Sequence, residues 1–130
     1  MPAYPQGGLA KLLRSNQQGF LFNNESVSVP EMSVAFQLER ISHSAYPWGA
    51  SFELVFSGDP GTFEVDIMVA NTDQLANYLQ LAMINTLGTS TVTGAHVARY
   101  DMATNVWPKF VAAYVRTLTN AVNVTMTVTR

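Results

Sequence analysis

The sequence has no cysteine, so disulfides, thiolate nucleophiles and thiolate metal sites are excluded. That absence fits assembly in a reducing compartment. Charge is scarce too. Asp, Glu, Lys and Arg make up 12% of the 130 residues, about half the usual share. Solubility must then rest on Asn, Thr, Ser and Gln, or a partner covers part of the surface. The formal net charge of −2 argues against a broad basic footprint for nucleic acid. No apolar run is long enough to span a bilayer, and no signal peptide is visible at the N-terminus. His43 and His96 are the only histidines, and neither has a carboxylate at metal-ligand spacing. Gly58-Asp59-Pro60-Gly61 holds no Lys or Ser/Thr in a phosphate-cradling pattern, so it reads as a turn.

What is present is alternation. Val122, Val124, Met126 and Val128 alternate with Asn123, Thr125, Thr127 and Thr129, giving a strand with one apolar and one polar face. Residues 109–117 are rich in β-branched and aromatic side chains, and Thr119-Asn120 is a turn candidate, so the C-terminal stretch reads as a β-hairpin. Upstream, Met32, Val34, Phe36 and Leu38 alternate with polar or small residues. Phe52, Leu54 and Phe56 do the same, and so do Phe63, Val65, Ile67 and Val69. The turn at residues 57–61 predicts that the last two patterns form an antiparallel hairpin. Residues 71–84 fit either a helix or a turn followed by a strand, and the strand is favoured from about residue 77 to 86. Residues 87–94 read as a loop, 95–101 as a short strand and 103–105 as a turn. Turns every 8 to 12 residues mark an antiparallel sandwich or barrel. The expectation is one all-β domain of about seven or eight strands over residues 31–130, preceded by an extended N-terminal arm over residues 1–30. Within the arm, residues 9–14 are expected to form a helical turn, and Phe20, Leu21 and Phe22 to serve as anchors.

Chemistry-bearing residues are sparse. Glu64 and Asp66 share the polar face of one strand; paired carboxylates can do acid–base work or hold calcium, but on an outer strand face they are expected to be solvated. Tyr46, Trp48, Tyr100 and Trp107 are candidates for a sugar-stacking platform, weighed against packing in the core. Asn24-Glu25-Ser26 and Asn123-Val124-Thr125 match the N-glycosylation pattern and read as chance matches. Trp107-Pro108 is a candidate cis peptide. No catalytic residue, cofactor or metal requirement is expected. On the penultimate strand, Phe110, Ala112, Tyr114 and Arg116 share a face. That face should point outward, since an unpaired buried charge is costly. Phe110, Ala112 and Tyr114 then form an outer apolar strip suited to contact with another chain or with the arm.

The segments Val106-Trp107-Pro108-Lys109-Phe110-Val111 and Val122-Asn123-Val124-Thr125-Met126-Thr127-Val128-Thr129-Arg130, with Phe63-Glu64-Val65-Asp66-Ile67, resemble the capsid decoration, or cement, proteins of tailed bacteriophages, which have a jelly-roll or β-sandwich fold. The likeness covers about half of the chain and rests on strand pattern and a Thr-rich last strand. It implies a non-enzymatic virion protein, made in the host cytoplasm, that sits on the outer capsid surface and bridges coat subunits. Its partners would be the major capsid protein, copies of itself, or both, with no nucleic acid and no membrane. The expected interface residues are Leu12, Leu13, Phe20 and Phe22 in the arm, with Phe110, Ala112 and Tyr114 in the strip. The alternatives are a lectin-like carbohydrate- or receptor-binding sandwich and a tail or neck component.

Overall fold

The computed structural model describes residues 10–14, 16–39, 50–85, 96–102 and 108–130. These form ten strands: β1 (Lys11–Leu13), β2 (Gln18–Ser26), β3 (Glu31–Met32), β4 (Phe36–Leu38), β5 (Ser51–Phe56), β6 (Phe63–Ala70), β7 (Leu79–Asn85), β8 (Val97–Asp101), β9 (Phe110–Leu118) and β10 (Asn123–Thr129). A single 3-10 turn, Leu75–Asn77, precedes β7. The fold is all-β. One sheet runs β1-β4-β9-β6-β7, with β3 also on β9; the other runs β2-β10-β5-β8.

The pairing is nested. β2 pairs with β10, β4 with β9, β5 with β8 and β6 with β7. β10 also pairs with β5, and β9 with β6. Counting β3 and β4 as one interrupted strand, the first of eight pairs with the last, the second with the seventh, and so inward. That is the jelly-roll arrangement, two Greek keys folded into a sandwich. β1 is an addition to it, laid parallel against β4.

The core lies between the sheets. Phe52, Leu54, Val65, Ile67, Val111, Val115, Val124, Met126 and Val128 are fully or nearly fully buried there. Each comes from the apolar set of an alternating strand, as period-2 patterning requires. Burying one such side chain stabilises by roughly 1.5–3 kcal/mol.

Two expected hairpins are not hairpins. β5 and β6 lie in different sheets, and so do β9 and β10. Each connection crosses the sandwich, and the two crossings brace each other. Thr119 N–H donates to the Thr62 carbonyl at 3.1 Å, and Asn120 N–H to the Pro60 carbonyl at 3.2 Å. Gly61 sits at φ +67, where a Cβ would lie 2.3 Å from Thr119 Oγ1, so only glycine fits. The Phe56 and Phe63 rings, 4.8 Å apart, fill the corner.

The arm is corrected as well. Among the described residues of the expected arm, β1 and β2 belong to the two sheets. Residues 11–13 are a strand, not a helical turn, and β2 is nine residues of the second sheet. Val29-Pro30 is a cis peptide. The sequence hid β2 behind a bulge. Phe20 pairs with Thr127 and Phe22 with Met126, so Leu21 is an extra residue. The bulge turns both Leu21 and Phe22 into the core while Phe20 points out. At Gly19 a Cβ would lie 2.5 Å from the Phe36 ring, so the backbone itself is the packing surface there. A similar slip splits the strand expected from Met32. Met32 pairs with Tyr114 and Phe36 with Val111, four residues against three. Ser33 fills the break: its Oγ accepts from Ala113 N–H at 2.8 Å, and its own N–H donates to the Ala113 carbonyl at 2.8 Å. Phe36 and Leu38 therefore face the inter-sheet core, whereas Met32 packs on the opposite face of the sheet. The segment in doubt resolves as a 3-10 turn followed by the strand β7. Leu9, the Tyr46-Pro47-Trp48-Gly49 turn, the 87–94 loop, the 103–105 turn, Trp107 and His43 lie outside the described residues.

Candidate functional site

The outer face of the β9 sheet carries the densest arrangement of side chains outside the core. Along β9, Phe110, Ala112, Tyr114 and Arg116 point outward, away from Val111, Ala113 and Val115. β6 places Met68 and Ala70 opposite Ala112 and Phe110. Upon this strip sits a second apolar cluster: Met32, Ala35, Ala70, Tyr78 and Ala112 are buried, with Ala10, Met68, Phe110 and Tyr114 packed around them. The strip is thus outer, but the chain's own segments cover it. Ala112 is 0% exposed and offers no surface to a partner. Phe110 and Tyr114 are half-buried, and Lys109 Nζ lies 5.6 Å from the Phe110 ring centroid.

Tyr78 reaches the strip from the 3-10 turn. Its phenol donates to Asp73 Oδ1 at 2.9 Å. Burial, then that bond and the Asp73 charge, push the phenol far above the ordinary tyrosine range. Asp73 is itself buried, and its Oδ2 has no hydrogen-bond partner among the described residues. The sequence fits Tyr78 equally to a helix and to a strand, and nothing in residues 71–78 marks Asp73 as its partner.

At the other end of the strip the face turns polar. Asp66 is buried rather than solvated, which corrects the expectation for that carboxylate. Arg116 Nη2 donates to Asp66 Oδ1 at 2.8 Å and to Oδ2 at 2.6 Å. Gln80 Nε2 donates to Oδ1 at 3.0 Å. The Asp66 hydrogen bonds and charge raise the Arg116 guanidinium above its usual range. Glu64 is half-buried and accepts from Thr117 Oγ1 at 2.7 Å. Each carboxylate is committed to a side-chain partner across the strand pair. Among the described residues no group of three or more His, Asp or Glu stands together as a metal site. His96 is exposed, at φ +65.

The outer face of the other sheet carries a polar cluster where β5 meets β8. Ser51 Oγ donates to Asp101 Oδ1 at 2.7 Å, and Arg99 pairs with the same oxygen at 3.0 Å. The Ser51 bond, with Arg99 adding to it against partial desolvation, holds the Asp101 carboxyl below its usual value. Thr125 Oγ1 accepts from Asn24 N–H at 3.1 Å, which brings the two glycosylation-like triplets side by side.

The arm residues divide. Leu13 and Phe22 are core, at 3% and 1% exposed, whereas Leu12 and Phe20 are 43% and 45% exposed. Val29, Val34, Leu75 and Leu79 are the other large apolar side chains exposed among the described residues. Of the aromatic quartet only Tyr100 is described; it is half-buried against the core, its ring 6.4 Å from that of Phe52. No protein-family model, curated protein or solved structure matches the chain.

Proposed function

We propose that the chain is a non-enzymatic structural protein of a virion, a decoration or cement protein that sits on the outer capsid surface and bridges coat subunits. The jelly roll hosts capsid domains and lectins alike, and a fold alone does not choose between them. One observation carries the choice. Leu12 and Phe20 stand exposed on β1 and β2, each an edge strand among the described residues. Edge strands present unpaired backbone groups, and an exposed apolar side chain beside them suits adhesion to another protein. Tyr100 is half-buried and packed on Phe52. The scarcity of charge fits a surface that is covered when the protein is at work.

The test is co-sedimentation of the purified chain with shells assembled from a tailed-phage major capsid protein. Saturable pelleting with shells is the expected result. A chain that stays in the supernatant, or one that binds an immobilised glycan instead, removes this reading.

A further inference from the structure

We propose that residues 71–78 form a strap that opens locally from the outer face of the β9 sheet, while the sandwich beneath stays folded, and so turns a covered apolar strip into an exposed one.

The strap has two inward side chains. Asp73 and Tyr78 are buried, and residues 71, 72 and 74–77 are exposed. Its backbone bonds are internal: Gln74 N–H to the Thr72 carbonyl, Asn77 N–H to Gln74 and Tyr78 N–H to Leu75. None of the three reaches β6 or β9. What seats the strap is Tyr78, buried in one cluster with Met32, Ala35, Ala70 and Ala112, its phenol bonded to Asp73. The seat carries a defect of its own making. Asp73 Oδ2 is buried with no partner among the described residues, and a buried polar atom without a bond is costly. Opening the strap returns that oxygen to water, which offsets part of the cost of uncovering the apolar strip.

Segments with few buried contacts and solvent-exposed backbone open at free energies well below that of global unfolding. β9, by contrast, is a central strand, paired with β6 on one side and β3 and β4 on the other. The face beneath the strap is therefore preformed. It presents Met68, Ala70, Phe110, Ala112 and Tyr114. Strap opening is a property of the isolated chain and is measured without any partner.

The absence of cysteine provides the experiment. Ala112 and Ala113 are adjacent, both 0% exposed, and face opposite sides of the sheet. Ala112→Cys and Ala113→Cys are each made in the otherwise thiol-free chain, and labelling by a small disulfide reagent is followed under native conditions. The thiol at 112 is expected to react about tenfold or more faster than that at 113, because only it is released by a local opening. Adding Tyr78→Ala should speed labelling at 112 further and leave 113 unchanged. Equal rates at the two positions, or a rate at 112 indifferent to Tyr78→Ala, overturn the proposal. Should either thiol prevent folding, Ala70→Cys on the outer face and Ala98→Cys in the core carry the same comparison.

Discussion

Arg116 reaches from β9 across the strand pair and closes on both oxygens of Asp66 on β6, at 2.8 and 2.6 Å. The two ends of the pair differ. The Asp66 side chain is 4% exposed, and that of Arg116 is 40% exposed. A bulge in the register between Glu64 and Val65 lies beside Arg116, and Thr117 next to it bonds Glu64. The guanidinium therefore acts as the lid of a buried carboxylate, and the Arg116 side chain keeps part of its surface in water.

Arg116→Met should destabilise the fold, because Asp66 would keep only Gln80 as a side-chain partner. Breaking a fully buried pair costs about 3–5 kcal/mol. Water beside Arg116 screens part of that, so the expected loss is about 1–3 kcal/mol. The double variant with Asp66→Leu should recover most of it, since no charge is then left unpaired. Urea denaturation of the two variants measures both numbers. An unchanged midpoint for Arg116→Met would show that the pair contributes nothing.

Gly61→Ala should cost about 1–3 kcal/mol, because the position has a left-handed backbone and the new methyl would meet Thr119 Oγ1. Gly58→Ala is the control. Its nearest foreign atom is Val122 Cγ1 at 3.5 Å, an ordinary contact. Thermal melts should separate the two variants clearly. Equal melting temperatures would mean that the two crossings do not brace each other.

Much of the fold was legible because alternation reports which side chains share a face. Val124, Met126 and Val128 are core, as their spacing requires. Alternation does not report which sheet a strand joins. That is why the turn signals at residues 57–61 and Thr119-Asn120 looked like hairpins, while the strands on either side pair with distant partners. Bulges were the second blind spot. At Leu21 and at Ser33 one extra residue reverses the facing of the residues beyond it, and no composition cue marks either. The outer strip was legible up to Arg116. Its cover was not, because Tyr78 and Asp73 act through a single contact that leaves no period in the sequence.

Tyr78 should make stability fall in alkali. Its folded phenol titrates well above the unfolded value of 10.0. The stabilisation it gives is complete below pH 10.0 and is lost as pH rises, because the unfolded chain then releases a proton that the folded chain holds. Ultraviolet titration should show one of the five tyrosines ionising only as the strap or the fold opens. Tyr78→Phe should flatten the alkaline limb of the stability curve. If all tyrosines titrate together near pH 10.0 in the folded chain, the Tyr78–Asp73 seat is not closed in solution.

The exposed and buried members of the N-terminal third offer the sharpest test of the cement reading. Leu12 and Phe20 are exposed neighbours of the buried Leu13 and Phe22. Leu12→Ser and Phe20→Ser remove apolar surface that already faces water. Their effect on stability should stay within about 0.5 kcal/mol, as for surface changes away from special features. Phe22→Ala empties a core site and should cost about 3–5 kcal/mol. Binding to coat shells should respond in the opposite sense. Each contact repeats across a shell, so a small loss per site is multiplied by avidity. The Leu12→Ser/Phe20→Ser double variant should therefore fold normally and pellet poorly. Sedimentation and urea denaturation on the same samples decide the matter. A double variant that folds normally and decorates shells as tightly as the parent chain would take Leu12 and Phe20 out of the interface, and the observation that carries the proposed function would go with them.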